Sequence, residues 1–144
     1  MKNLIKVQAL NIDLATLLLR LIFGGMFVYY GYMKAANYEA FASMFQDIIG
    51  IGAKLSFNLV IFAELVCGFF ILIGLLTRFS VIPVFITMII AFFVAHANDG
   101  FDVKAIAFVY MLLCIVIFIL GSGRYSADAV LFGKGTKNQI ENKN

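Results

Sequence analysis

The sequence predicts an all-α integral membrane protein, a bundle of four transmembrane helices. Of its 144 residues, 63% are hydrophobic and only 13% are charged, whereas soluble domains are about 45–50% apolar. A chain this short cannot bury so much apolar surface in a fold that faces water. The apolar residues also fall into four runs that short polar segments separate. Lipid is therefore the expected solvent for most of the side chains.

Each apolar run is close to the length that a membrane-spanning helix needs. About 20 residues, at about 1.5 Å per residue, cross a hydrocarbon core of about 30 Å. The runs cover residues 14–33, 55–76, 79–96 and 105–121. Because the last two are short, we expect their helices to extend into the interfaces. Only Thr77 and Arg78 separate the second and third runs, which makes these two helices antiparallel neighbours.

The loop between the first two runs contains a helical pattern of its own. Between Lys34 and Lys54, apolar residues recur at helical spacing with polar residues between them. The apolar residues are Tyr38, Phe41, Met44, Phe45, Ile48 and Ile49. We therefore expect a short amphipathic helix in this outer loop, lying in the membrane interface or covering the end of the bundle. An interfacial helix that contacts no ligand is the simpler interpretation.

Lysine and arginine are distributed unevenly between the two ends of the predicted bundle. One end has Lys2, Lys6, Arg78, Arg124, Lys134, Lys137 and Lys143, and the other has Lys34, Lys54 and Lys104. The positive-inside rule therefore predicts that both termini lie in the cytoplasm, as an even number of spans allows. We expect residues 1–133 to form the membrane domain and residues 134–144 to be a polar, disordered cytoplasmic tail.

Arg20 and Glu64 are strong charges well inside the predicted spans, where a charge costs roughly 2.5–3.5 kcal/mol on insertion scales. Measured from the predicted cytoplasmic edges, Arg20 lies roughly 9 Å deep and Glu64 roughly 18 Å deep. Two extended side chains can close that difference, so we predict an intramembrane salt bridge between them. The pair either only fixes helix pairing or also forms a functional polar site, and both interpretations stay open.

His96 ends the third run near the predicted outer face and precedes Asp99 and Asp102. It is the third candidate for the intramembrane polar site, beside Arg20 and Glu64, because an imidazole can titrate near neutral pH. One histidine with scattered carboxylates does not make a metal site, so no metal is predicted. The alternative is a histidine at a helix end whose ring bonds a loop carbonyl.

Five glycines in the first two runs are candidates for close helix packing. They are Gly24, Gly25, Gly31, Gly68 and Gly74. Glycines let the backbones of two membrane helices approach closely. Several of them follow the charged residues by about one turn, which would help the first two helices come together.

Cys67 and Cys114 both lie inside apolar runs, at depths that are compatible with contact. We interpret them as small packing residues, with a redox dithiol as the alternative. The sequence has no CxxC motif, and it lacks the cysteine pattern of a secreted disulfide scaffold. It also lacks a haem-ligand pair, Fe–S cysteines and a dinucleotide-binding fingerprint. No basic stripe suggests nucleic acid as a partner.

These landmarks together resemble the DoxX family of small bacterial membrane proteins. The matching segments are LRLIFGG, GYMK, ELVCGFFILIGLLTR, AFFVAH and GSGRYSAD. They keep the family's order over most of the chain, and the pair ExxxGxxxxxGLxTR and GxGxxSxD is the more specific part. Family members often carry a carboxylate near the start of the fourth span, where this chain has Lys104.

The resemblance implies a protein of the bacterial inner membrane that serves as an accessory or scaffold subunit of a redox-linked complex. Its partners would be lipid and other membrane, periplasmic or cytoplasmic subunits. One alternative is a component that binds quinone or another small molecule in a pocket at Arg20 and Glu64. A second alternative is a small transporter or proton-conducting element that uses Glu64 and His96. We expect no catalysis by the chain alone; any activity would be that of a subunit of a quinone-linked oxidoreductase.

Overall fold

The protein is a bundle of four long helices, with two short helices at its ends. The computed structural model describes residues 11–47 and 49–133. The long helices are α1 (Ile12–Ala36), α3 (Ala53–Ile73), α4 (Thr77–Ala95) and α5 (Phe101–Leu120). The short ones are α2 (Tyr38–Met44) and α6, the helical residues 127–133. Each long helix is long and apolar enough to cross a membrane, which confirms the predicted four-helix membrane bundle.

The two ends of the bundle hold different connecting segments. The near end contains residue 11, the turn 74–76 and the segment 121–133. The far end contains the segment 37–52, which includes α2, and the loop 96–100. Successive long helices are therefore antiparallel. The predicted tail 134–144, as well as Lys2 and Lys6, lies outside the described residues.

The core is a mixture of aromatic and aliphatic side chains from all four long helices. It is formed by Phe23, Phe27, Cys67, Ile71, Val81, Val84, Met88, Ala107, Cys114 and Ile117. Both cysteines are free and buried in this core, where each acts as a small apolar packing residue. By contrast, Ile106 and Ile119 on α5 are 66% and 69% exposed. An apolar outer surface of this kind is compatible with surrounding lipid.

α1 and α3 approach closely at three of the predicted glycines. A methyl group on Gly31 would lie 2.5 Å from the backbone nitrogen of Leu65, and one on Gly24 would lie 2.7 Å from that of Leu72. From the other helix, Gly68 packs against Phe27. These contacts need glycine because even a Cβ would force the backbones apart. Gly25 faces open space instead, because the next residue along a helix is rotated by about 100°.

Two of the long helices contain a wider π-helical segment. In α3, residues Phe62–Cys67 form a π-helix between the α-helical parts Ala53–Ile61 and Gly68–Ile73. In α4, the α-helical part Thr77–Ile90 is followed by a π-helix at Ala91–Ala95. Such segments are rare in proteins, and those that occur are often found at functional sites. Both border the same cavity, as described below.

The predicted amphipathic helix is present as α2 and is shorter than the apolar pattern. Its N-terminal Tyr38 donates a hydrogen bond of 2.9 Å to the side chain of Asn58. The rings of Tyr38 and Phe45 pack against Phe57, with centroid distances of 5.3 and 5.2 Å. No residue of α2 itself is buried. α2 and the residues after it therefore lie over the far end of α3, and Ile48 is outside the described residues.

Candidate functional site

Arg20 is buried at the near end, where it binds a backbone carbonyl. Its side chain is 1% exposed, and its Nη2 donates a short hydrogen bond to the carbonyl of Tyr125. Its Nε and Nη1 have no partner among the described residues. Gly74, which has a positive φ of 75°, leaves room for the guanidinium, since any Cβ there would overlap Nη1. Arg20 thus ties α1 to the segment that follows α5.

Other polar residues of the near end also bind backbone groups. Arg78 donates from Nε to the carbonyl of Phe118 over 3.1 Å and thereby binds the C-terminal turn of α5. Asp128 accepts a 2.9 Å hydrogen bond from the N–H of Leu76, whose φ is +46°. We call Arg20, Gly74, Arg78, Tyr125 and Asp128 the near-end clamp. The clamp joins the segments GLLTR and GSGRYSAD, so their polar residues hold the helix ends together.

Glu64 has a different partner from the predicted one. Its Oε2 accepts a 2.5 Å hydrogen bond from Nζ of Lys34, which lies in the last turn of α1. The side chain of Glu64 is 7% exposed and that of Lys34 is 25% exposed. A charge-assisted bond between two such side chains is the ordinary way to keep a carboxylate in an apolar region. The salt bridge expected between Arg20 and Glu64 is therefore corrected to one between Lys34 and Glu64.

The register of α1 against α3 explains the correction. Gly24 faces Leu72 and Gly31 faces Leu65, so Arg20 is level with the end of α3. Along the helix axes, roughly 18 Å then separates Arg20 from Glu64, twice the predicted difference. The prediction assumed that the start of the first run and the end of the second run lie at the same membrane depth. Instead, α1 is shifted by about six residues, which brings Lys34 to Glu64.

A cavity of about 550 Å³ lies beside the Lys34–Glu64 pair in the far half of the bundle. This volume is within the range of about 300–1,000 Å³ that is typical of small-molecule sites. Its wall is formed mainly by apolar side chains of α3 and α4. These include Leu59, Val60, Phe62, Ala63, Ile86, Met88, Ile90 and Ala91. Phe45 and Ile49, from the segment after α2, also line it at the far end.

Both π-helical segments contribute to this cavity. Phe62, Ala63 and Glu64 come from the first one, and Ala91 and Ala95 come from the second. A π-turn is wider than an α-turn and changes the direction in which the following side chains point. The two irregular segments therefore shape the wall of the same cavity. Their position connects the irregular backbone with the cavity that the predicted residues Glu64 and His96 line.

Ser56 contributes a buried hydroxyl group to the wall of the cavity. It is 4% exposed, and its Oγ has no hydrogen-bond partner among the described residues. Thr87 also lines the cavity, but its hydroxyl donates to the carbonyl of Pro83 over 2.9 Å. A buried polar atom without a partner costs about 1–3 kcal/mol. A ligand that bonds to Ser56 would remove this cost.

His96 lies at the far-end mouth of the cavity, directly after the π-helix of α4. Its Nδ1 is 2.7 Å from Oδ2 of Asp99, a loop carboxylate rather than the loop carbonyl that we considered. Both side chains are partly exposed, at 43% and 47%. The structure thus brings His96 and Glu64 to one cavity and places Arg20 elsewhere. In residues 11–47 and 49–133, no group of three or more potential metal ligands is present.

The sequence interpretation missed Lys34 and Ser56 as residues of the site. Lys34 had a detectable signal, because it lies in GYMK, one of the segments that carry the family resemblance. Ser56 had none, since a single serine at the start of an apolar run is unremarkable in sequence. The π-helical segments that border the cavity contain no glycine or proline that would mark them in the sequence.

Fold and site together define a multi-pass membrane protein with a cavity between its helices. Comparison with known families matches residues 15–97 to DoxX, and the chain belongs to this family. A relative from Haemophilus influenzae, described only as an uncharacterized protein, is 25% identical over 135 residues. That similarity covers 88% of this chain and 89% of the relative. No solved structure matches the chain.

Proposed function

We propose that this DoxX family member is a protein of the bacterial inner membrane whose near end faces the cytoplasm. Arg78 and Arg124 lie at the near end, and Lys34, Lys54 and Lys104 lie in the far half beside Asp47 and Asp99. The positive-inside rule supports this orientation, with both termini cytoplasmic. The cavity would then open toward the outer half of the membrane. Cysteine labelling at the two ends, in intact cells, would check the orientation.

Its function, in this proposal, is to bind a small lipid-soluble molecule in the far-half cavity. The observation that carries the proposal is the cavity of about 550 Å³, largely apolar and bordered by the Lys34–Glu64 pair. Ligand sites typically combine an apolar wall with a few placed polar groups. An ionisable residue within a membrane-spanning segment is also by default a candidate functional residue.

Part of the cavity wall also lies on the outer surface of the bundle. Phe62 on α3 and Ile86 on α4 line the cavity, yet they are 49% and 51% exposed on the apolar surface of the bundle. A molecule dissolved in the bilayer could therefore enter between α3 and α4 without crossing water. Such an entrance favours an apolar ligand over a water-soluble one.

A cavity-filling variant tests the binding function. Ala91 lines the cavity within the π-helix of α4, so Ala91→Phe should occupy much of the space. Wild-type protein purified in mild detergent should retain a stoichiometric lipid-soluble compound, detected by native mass spectrometry, and Ala91→Phe should not. Ala105→Phe on α5, outside the cavity wall, is the matched control. Equal retention by all three proteins, or retention by none, would contradict the proposal.

A second candidate is the role of an accessory or scaffold subunit in a redox-linked complex. The observation that favours it is the outer face of α5, where Ile106, Val109 and Ile119 are more than half exposed. A partner membrane helix could cover this face. Crosslinking in native membranes from engineered residues on α5, followed by identification of the crosslinked subunit, would support it. Crosslinks to lipid alone would count against it.

The same purified protein distinguishes the ligands and activities considered for the cavity. A retained quinone would support the redox-component alternative. A flux driven by a pH gradient in liposomes, abolished by Glu64→Gln or His96→Ala, would support the transporter alternative. Each result is separate from the retention test, because a compound can be bound without electron transfer or transport.

A further inference from the structure

We propose that the cavity selects uncharged amphiphiles with a hydrogen-bonding head group, such as long-chain alcohols, over amphiphiles with a permanent charge. This inference rests on the proposed binding function and names the class of ligand. Two observations support it. The charged residues that line the cavity pair with each other, and one buried hydroxyl group of the wall has no hydrogen-bond partner among the described residues.

The charge balance follows from the pairing of the cavity's ionisable side chains. Among its described lining residues, Lys34, Glu64 and His96 are the ionisable ones. Lys34 and Glu64 lie 2.5 Å apart, so wherever the shared proton resides, the pair has no net charge. His96 pairs with Asp99 at the mouth. A ligand in the interior therefore meets no unpaired cation or anion.

A charged head group in this cavity would have no counter-ion. An ion moved from water to an apolar interior is strongly penalised unless an opposite charge pairs with it. To gain such a partner, a charged ligand would have to break the bond between Lys34 and Glu64. An alcohol incurs no such penalty, and it can still receive a hydrogen bond from the Lys34 ammonium or donate one to the Glu64 carboxylate.

Ser56 is the residue that we assign to the head group. Its hydroxyl is buried and has no hydrogen-bond partner among the described residues, and a hydroxyl can both donate and accept. It therefore suits an alcohol, an amide or a carbonyl, all of them uncharged. Thr87 already donates its hydroxyl hydrogen to the carbonyl of Pro83, so it can only accept from a head group.

A fluorescence experiment tests the selectivity. The chain has no tryptophan, so Phe62→Trp in the full-length protein places a single reporter on the cavity wall. The protein is reconstituted in phosphatidylcholine vesicles and titrated with three brominated probes of equal chain length. The probes are a long-chain alcohol, a long-chain sulfonate and a long-chain quaternary ammonium. The alcohol should quench the reporter at a concentration lower by about tenfold or more.

Two variants examine the cause of the selectivity. Glu64→Gln leaves the Lys34 cation without a partner, so the sulfonate should become the preferred probe. Ser56→Ala should weaken quenching by the alcohol roughly threefold to tenfold, whereas Ser80→Ala, a buried serine of α4 outside the cavity, should not. If Glu64→Gln does not fold, Ser56→Ala still tests the proposed head-group contact.

The outcomes separate this inference from the function on which it rests. Saturable quenching of equal strength by all three probes would overturn the selectivity and leave binding intact. Unchanged sulfonate binding in a folded Glu64→Gln protein would likewise overturn it. If no probe quenches the reporter more than it quenches free indole in the same vesicles, the proposed binding function fails and this inference fails with it.

Discussion

The charged residues at the two ends of the bundle bind different kinds of partner. At the near end, Arg20, Arg78 and Asp128 bind backbone carbonyls and N–H groups of other segments. In the far half, Lys34 and Glu64 bind each other beside a cavity. Polar side chains that bond to backbone fix the path of the chain. Polar side chains that bond only to each other can exchange partners, and a ligand can use them.

The comparison therefore predicts that changes in the near-end clamp lower stability without altering ligand binding. Changes in the cavity should alter binding with a smaller effect on stability. Four variants, ordered from the largest expected effect to the smallest, test this separation. The free energy of unfolding is measured by denaturant titration in detergent, and binding is measured by quenching of the Phe62→Trp reporter.

Gly74→Ala should have the largest effect, a loss of about 3 kcal/mol in the free energy of unfolding. Its φ of 75° is unfavourable for alanine, and a Cβ would overlap the Arg20 guanidinium. The affinity of any remaining folded protein for the alcohol probe should be unchanged. Gly25→Ala, at a glycine with open space around it, is the matched control and should not destabilise the protein. A loss of less than about 1 kcal/mol in Gly74→Ala would contradict the clamp.

Gly31→Ala should affect both stability and binding. A methyl group there would lie 2.5 Å from the backbone nitrogen of Leu65, so α1 must move away from α3. We expect a loss of about 2 kcal/mol in the free energy of unfolding. Because Leu65 is next to Glu64 and Gly31 is one turn before Lys34, the pair should also loosen and probe affinity should fall. Normal affinity in this variant would indicate that the pair does not depend on the α1–α3 contact.

Arg78→Ala should lower the free energy of unfolding by about 1 kcal/mol. The residue is exposed, but it binds the carbonyls of Phe118 and Ile119 at the end of α5. Arg78→Lys keeps the charge and loses the planar two-atom contact, so it should restore only part of the stability. If Arg78→Ala is as stable as the wild-type protein, Arg78 does not contribute to the clamp. Altered probe binding in Arg78→Ala would contradict the separation of the two ends.

Asp99→Asn should have the smallest effect. The pair of His96 and Asp99 is nearly half exposed, and exposed pairs contribute about 0–1 kcal/mol. Stability should therefore change by less than about 0.5 kcal/mol, and affinity for the uncharged alcohol should stay the same. A marked change in alcohol affinity would show that the mouth of the cavity takes part in recognition.

The sequence was sufficient to predict the four long helices, but it was not sufficient to predict their register against one another. Four apolar runs of membrane-spanning length predict four helices, because lipid imposes the same requirement on each of them. By contrast, the partner of Arg20 is the carbonyl of Tyr125, and a backbone carbonyl leaves no trace in the residue type. The depth of Glu64 relative to α1 depends on where Gly24 and Gly31 contact α3. That is a property of two packed helices together.

The candidate site was predictable to a smaller extent. Glu64 was predicted as a site residue because a charge inside a membrane span is energetically costly, and His96 because of its position at the end of the third run. Both residues line the cavity. The cavity is bordered by the π-helical segments Phe62–Cys67 and Ala91–Ala95. Neither segment has the local signals that mark helix kinks, such as an internal proline. Inspection of the residues of either segment alone therefore could not reveal its backbone geometry.

Photolabelling tests the central claim most directly. Native membranes that contain the full-length protein are treated with a diazirine-bearing long-chain alcohol, and the labelled residues are identified by mass spectrometry. The account predicts labels on Ala63, Glu64 and Met88, which line the cavity and are shielded from bulk lipid, and loss of these labels in Ala91→Phe. Labels confined to lipid-facing residues such as Ile106 and Ile119, unchanged in Ala91→Phe, would contradict it.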